Sequence, residues 1–306
     1  MRLGLLGYYQ HNNVGDERIL AAVEQMFAGH TLVVTGSYAE AEQRLDELNA
    51  CDFMLFGGGG LICPNSNYAA LLFKKVTTRL GCIGLGIEFR DTTNNELVTV
   101  LEDKAEFMWV RDITSAKLLN RPTIIGSDLT FLNPYPKIIP TANDVCGVNL
   151  RKWPMEWDIA RCKELLIGNF SDLVCLLFTL PGAAGECDIA TFHGLNLEGS
   201  IATSLPILYP QCRYIVGMRY HSIVFALQSG LPFLSLAYWP KCSRFCAEAG
   251  LNDCVVDLSD IEALEAKILM LKENYEELRQ KILDYREISI ASTLSAVSTV
   301  KGLMGI

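Results

Sequence analysis

A guanidinium, a phenol and an imidazole stand together in Arg219-Tyr220-His221, directly after Tyr214-Ile215-Val216 and Gly217. The β-branched and aromatic run predicts a buried strand. Ile223, Phe225, Ala226 and Leu227 predict a helix that Ser222 caps and Gly230 stops. A strand that delivers Arg-x-His to the first turn of a helix is equipped to hold an anion. Free backbone N–H groups, the positive end of the helix dipole and the guanidinium all act in the same sense. The histidine adds a proton carrier. The same residues also fit a polar strand end with one exposed arginine and one hydrogen-bonded histidine.

Other clusters lie in comparable places. After Pro232 a second strand, Phe233 to Leu236, leads to Tyr238-Trp239-Pro240-Lys241. Gly57-Gly58-Gly59-Gly60 follows the apolar run Asp52 to Phe56 and reads as a loop whose N–H groups can cradle an oxyanion or admit a close ligand. It lacks the Lys-Ser/Thr of a Walker loop and the spacing of a dinucleotide fingerprint. The segment Asn12-Asn13-Val14-Gly15-Asp16-Glu17 offers amides and carboxylates suited to sugar hydroxyls, though Asp16 also suits a helix cap. Arg111-Asp112 is an anion ligand or a local pair with Asp112 as N-cap, and Arg151 ends a strand. His11 and a carboxylate at Glu186 or Asp188 are further proton carriers, with a surface histidine and a solvated loop as the plainer readings. His30 and His193 lack companions, and Trp153, Trp157 and Trp239 fit a core or rim as well as a sugar platform.

Short apolar strands alternate with helices along the whole chain, from Leu3–Leu6 onward. This pattern implies parallel sheets covered on both faces. Ligands bind beyond the carboxyl ends of such strands, and the distinctive loops fall after Leu6, Phe56, Leu85, Val110 and Ile125. Helices are expected at Ala39–Leu48, Tyr68–Leu80, Asn94–Ala105, Trp157–Ile167, Ile261–Tyr285 and Ile288–Met304, while 188–199 is ambiguous. Pro134, Pro136 and Pro140 mark a linker. The expected architecture is α/β: two doubly wound, Rossmann-like domains facing a cleft. They span 1–135 and 141–285, and a C-terminal helix, 286–306, packs back on the first.

The 306 residues are half hydrophobic and one-fifth charged, enough for two packed cores. A net charge of −9 argues against a broad nucleic-acid or anionic-membrane surface, so an anionic ligand must be gripped by a few local arginines. The eleven cysteines are scattered, mostly in apolar runs, and form no CxxC pair. Cys242 and Cys246 are one helical turn apart without a third ligand nearby, so no metal is expected. No apolar run approaches the roughly 20 residues of a membrane span. The chain reads as reduced and cytoplasmic; its oligomeric state is left open.

Taken together, the motifs resemble the polysaccharide pyruvyl transferase family. The matching features are Asn13-Val14-Gly15-Asp16-Glu17, the Gly57–Leu61 segment, Arg111-Asp112 with Ser115, Gly126-Ser127-Asp128, Met218-Arg219-Tyr220-His221, and Gly230-Leu231-Pro232 with Tyr238 and Lys241. They occur in the family's order across almost the whole chain, although Tyr220 stands where the family more often has an aliphatic residue. The resemblance implies a fold like that of two-domain (GT-B) glycosyltransferases and transfer of a pyruvyl ketal from phosphoenolpyruvate to a sugar of a cell-surface polysaccharide or its precursor. No resident cofactor is implied. It suggests His221 as general acid and Arg219, Tyr220, Arg111, Arg151 and Lys241 around the donor. Asn13, Asp16, Gly58, Gly59 and Gly60 would face the acceptor. A nucleotide-sugar glycosyltransferase or epimerase, or a catalytically silent glycan-binding relative, remains an alternative on the same architecture.

Overall fold

The protein is described by a computed structural model covering residues 1–133, 143–153, 157–182, 187–197 and 211–306, with the backbone of 200–203. The expected proline linker and Glu186 lie outside these residues. Two compact units result. One contains Met1–His11, Gly15–Asn133 and Ser289–Ile306; the other contains Asn12–Val14 and the described residues from 143 to Ile288.

In the first unit, β1 (Arg2–Leu6), α1 (Val14–Met26), β2 (Thr31–Thr35), α2 (Tyr38–Gln43), α3 (Leu45–Asn49), β3 (Phe53–Ile62), α4 (Ala70–Lys75), β4 (Leu80–Ile87), α5 (Asn95–Lys104), β5 (Ala105–Val110), α6 (Ile113–Lys117) and β6 (Ile124–Ile125) follow in order. The strands form one parallel sheet ordered β2-β1-β3-β4-β5-β6. Side chains alternate between faces, so each strand feeds two cores. Leu3, Leu5, Phe53 and Leu55 pack on one side, and Leu6, Met54 and Phe56 on the other.

The second unit contains β7 (Val145–Asn149), α7 (Ile159–Asn169), β8 (Asp172–Leu177), α8 (Asp188–Gly194), β9 (Ser200–Thr203), β10 (Tyr214–Gly217), α9 (Tyr220–Ser229), β11 (Phe233–Ala237), α10 (Pro240–Glu248), β12 (Val255–Asp257), α11 (Ala263–Glu273) and α12 (Tyr275–Met304). Its parallel sheet runs β12-β11-β10-β7-β8-β9. The order reverses between β7 and β10, the topological switch point where doubly wound sheets open a crevice. The last turns of α12 belong to the first unit, where Ala296, Val300 and Met304 join the core of Leu3, Phe53 and Trp109.

Several expectations are corrected. Gly57–Gly60 is not a loop: β3 runs through it, pairing Gly57 with Ile83 and Gly59 with Leu85. The glycines instead supply positive φ, +142° at Gly57, +80° at Gly58 and +97° at Gly59, within a strand pressed against its neighbours. The region expected as one helix from Tyr68 to Leu80 is a 3₁₀ turn (Ser66–Ala69) and the short α4, because Leu80 already belongs to β4. The Ala39–Leu48 helix breaks at Arg44 into α2 and α3. At the C-terminus the break falls at Asn274, and α12 continues unbroken through residues 285–288.

Candidate active site

At the switch point of the second unit, β7 ends at Asn149 and β10 at Gly217, paired in register. Gly217 lets α9 approach closely, since a Cβ there would lie 2.1 Å from Ser222 Oγ. Helix α9 starts three residues earlier than expected. Arg219 is its N-cap residue, and Ser222 Oγ donates back to the Arg219 carbonyl at 2.5 Å instead of capping.

Asn149 ties this turn together. Its Oδ1 accepts from the Arg219 backbone N–H at 3.0 Å, and its Nδ2 donates to Leu176 O at 2.9 Å and to Asp188 Oδ2 at 3.2 Å. Asp188, read from sequence as a solvated loop carboxylate or a base, is buried in the first turn of α8. It accepts from Phe178 N at 2.8 Å and Thr179 N at 3.1 Å. It also receives one edge of the Arg219 guanidinium, with Nη2 at 2.5 Å from Oδ1 and Nε at 3.0 Å from both oxygens. The Arg219 side chain is 13% exposed, so its other edge is not shut away.

Arg151 follows β7 and lies beside this pair. Its backbone N–H donates to Met218 Sδ at 3.3 Å. Its guanidinium sits 4.7 Å from the Trp153 ring centre and 5.4 Å from that of Tyr238, which follows β11. Burial, and then the positive charge of Arg219, pull its pKa below the ordinary arginine value. The charge of Asp188, which is paired with Arg219, acts on Arg151 in the opposite sense.

His221 is the second residue of α9, its ring 5.3 Å from Tyr220 and 5.8 Å from Phe225 between centres. Tyr220 is buried and packs on Phe245 at 5.5 Å, so it backs the histidine and does not offer a ligand a face. Lys241 is the second residue of α10, a helix not anticipated from sequence, which Pro240 opens directly beyond β11. Cys242 and Cys246 on that helix are fully buried core residues.

The first unit carries the other predicted residues except Asn13. Tyr9 donates its hydroxyl to Gly57 O. Burial, with the nearby charges of Asp16, Asp128 and Glu17, raises its pKa. Asp16, in the first turn of α1, aims Oδ1 at Gly59, 3.2 Å from where a Cβ would stand. Gly60 faces Glu88 and Arg111 in the same way, at 3.1 and 3.6 Å.

Of the two readings of Arg111-Asp112, the local pair with Asp112 as N-cap is the one the structure matches. Its side chain is 3% exposed, amid the carboxylates of Asp128 at 3.5 Å, Asp112 at 3.7 Å and Glu88 at 4.0 Å. A guanidinium outnumbered by carboxylates has no charge to spare for an anionic donor, so Arg111 reads as a structural cation. Its motif partners are structural too: Asp112 caps α6 by accepting from Ser115 N at 2.5 Å, and Ser115 Oγ accepts from Ile87 N at 2.9 Å.

Asn13 belongs to the second unit, bridging antiparallel to Thr179. On either side of it, Val14 N donates to Phe178 O at 2.9 Å and Leu180 N to Asn12 O at 3.0 Å. This segment therefore extends the β8 end that also binds Asp188. His11 is half-buried, donating through Nε2 to Gly36 O at 2.9 Å and stacking on Tyr8 at 4.3 Å.

The sequence reading missed Asn149 and undervalued Asp188. The available signal for Asn149 was a lone amide near the end of the otherwise apolar run Val145–Leu150.

Solved structures with this architecture include an epimerase described as a putative UDP-N-acetylglucosamine 2-epimerase from Listeria monocytogenes, at TM-score 0.66 and 12% identity, covering 98% of this chain and 95% of that one. The UDP-GlcNAc 2-epimerase from Neisseria meningitidis bound to UDP-GlcNAc aligns at TM-score 0.63 and 14% identity over 98% and 100% of the two chains. The glycotransferase of kitacinnamycin aligns at TM-score 0.56 and 13% identity over 99% and 98%. At these identities the likeness establishes the GT-B-like fold alone. No curated protein matches the chain in sequence. The family model for polysaccharide pyruvyl transferase matches residues 13–240, which takes in α1, the second unit's switch point and the Arg-Tyr-His turn. The chain therefore belongs to the polysaccharide pyruvyl transferase family.

Proposed function

We propose that the protein transfers a pyruvyl group from phosphoenolpyruvate to two hydroxyls of a sugar, forming a ketal on a polysaccharide or its precursor. What supports this reading is that Arg151 and Arg219 follow the paired ends of β7 and β10, with Arg219 at the N-cap of α9 and His221 in that helix's first turn. Phosphoenolpyruvate carries a carboxylate and a phosphate a few ångströms apart, and arginine matches each by bidentate hydrogen bonding. Asp188 offsets one of the two positive charges, which leaves a net cation for a multiply charged anion.

In this reading His221 delivers a proton to the methylene carbon, C3, so that C2 becomes electron-poor. An acceptor hydroxyl adds to C2, the C2–O bond to phosphate breaks, and a second hydroxyl adds to close the ketal. The two hydroxyl protons restore His221 and leave with inorganic phosphate, so the balance closes without an oxidant or reductant. Lys241, at the start of α10 beyond β11, is assigned to the departing phosphate. Asn13 and Asp16, with the Gly58–Gly60 backbone, are assigned to the acceptor.

The test is phosphate release from phosphoenolpyruvate with a panel of sugar acceptors, with mass spectrometry of the adduct. The reading requires a pyruvate ketal on at least one acceptor and a fall in turnover of about 10²–10⁴-fold in His221→Ala. Transfer of a sugar from a nucleotide donor, with no phosphate released from phosphoenolpyruvate, would replace it by the glycosyltransferase alternative.

A further inference from the structure

The second unit's switch point contains a carboxylate that the reaction itself does not use. Asp188 contributes no proton in the scheme above, yet it is fully buried and receives Phe178 N, Thr179 N, Asn149 Nδ2 and a guanidinium edge. Buried ion pairs are inefficient stabilisers, because removing both charges from water offsets much of their attraction. What such a pair does well is fix geometry.

We infer that Asp188, together with Asn149, is a positioning residue for Arg219, holding one edge of its guanidinium so that the other edge is presented at the β7–β10 crevice. The inference rests on the reading of Arg219 as a donor ligand. A free arginine side chain samples many rotamers, and ordering it when a ligand arrives costs affinity. Here the ordering is done on folding. Asp188 engages Nε and Nη2, which sets the plane and rotation of the fork. Asn149 Oδ1 holds the Arg219 backbone N–H at 3.0 Å while Asn149 Nδ2 holds Asp188 at 3.2 Å. Main chain and side chain of one arginine are thus anchored to a single network drawn from β7, the end of β8, α8 and β10. Asp188 also has an opposing electrostatic effect, since its charge weakens the pull of Arg219 on an anion. The two effects make opposite predictions for its removal.

The experiment is calorimetric titration of phosphoenolpyruvate into the full chain, with the melting temperature of each unliganded variant measured alongside. Asp188→Asn preserves shape and can still accept from Phe178 N and Thr179 N, but its amide nitrogen cannot accept from a guanidinium. Positioning predicts that the donor Kd rises about tenfold. In an Arg219→Ala background the same substitution should add less than about twofold, because a residue that acts through another has no separate effect. An unchanged Kd would overturn the inference. So would a lowered Kd, which would make Asp188 a charge damper, or full additivity in the double variant. Should Asp188→Asn fail to fold, Asn149→Ser removes the second anchor, and an unaltered donor Kd there would overturn the inference equally. If Arg219→Ala alone leaves the Kd untouched, the donor-site reading fails first, and that result is distinct from a failure of positioning.

Discussion

Replacing Gly57 by alanine tests whether the glycine run is a packed strand or a free loop. Its φ of +142° lies where a side chain is disfavoured, at a cost of roughly 1–2 kcal/mol. A Cβ at this position would stand 2.1 Å from the carbonyl oxygen of Ile83 and 3.0 Å from its carbon, both backbone atoms of the adjacent strand β4. That strand has neighbours on both sides in the sheet, so it cannot swing aside, and overpacking of this kind costs about 1–3 kcal/mol more. The sum is roughly 2–5 kcal/mol. Hydrogen exchange read by mass spectrometry on peptides of β3 and β4 reports it directly, as exchange faster by about thirtyfold or more. Gly168→Ala is the control. That glycine is exposed near the end of α7 with no atom within 4 Å of its Cβ position, and alanine there should stabilise by up to about 1 kcal/mol. Exchange in Gly57→Ala no faster than in Gly168→Ala would refute the packing argument.

Removing the Arg111 guanidinium as Arg111→Met strands the buried carboxylates of Glu88 and Asp128 and should destabilise by about 3–5 kcal/mol in urea unfolding. Arg79→Ala, which breaks a half-exposed pair with Glu106, should cost under about 1 kcal/mol by the same assay. Thiol titration at pH 8 should find Cys63 reactive and Cys187 slower, with the nine buried cysteines silent until denaturation. Burial pushes Cys82, Cys162, Cys212 and Cys254 up to about 12 and Cys175 to about 11. A raised folded pKa means the native state holds protons the unfolded state has lost, so stability must fall as pH rises from about 9 toward 12, by roughly 1 kcal/mol per thiol at pH 10. A melting temperature flat from pH 8.5 to 10 would contradict that. Trp153→Leu removes one face against which Arg151 is stacked, and should raise the Km for phosphoenolpyruvate several-fold, about 0.5–2 kcal/mol, with little change in kcat.

The doubly wound architecture was legible because each strand is a continuous apolar run that a helix pattern follows, and a strand buried on both faces leaves that mark. The Arg219–His221 turn was legible for a related reason: polar residues cluster where an apolar strand stops. Gly57–Gly60 misled because glycine runs usually signal loops, whereas here the absence of side chains is what lets β3 lie against Ile83 and Tyr9. Ser222 satisfied the sequence rule for a cap, yet the helix begins at Tyr220, because Asn149 from another strand holds the Arg219 N–H. The role of Asp188 was hidden for the same reason. A carboxylate's partner across 31 residues of chain is set by sheet order, which local pattern does not encode. Arg111 is the converse: its pairing with the adjacent Asp112 was legible, but its other two carboxylates, Glu88 and Asp128, come from separate segments.

The most direct test of the account is a crystal of the full chain soaked in phosphoenolpyruvate. The account predicts the ligand at the carboxyl ends of β7 and β10, with one anionic group on Arg219, the other within reach of Arg151, and C3 facing His221. Phosphoenolpyruvate bound elsewhere, with Arg219 and His221 untouched, would contradict it.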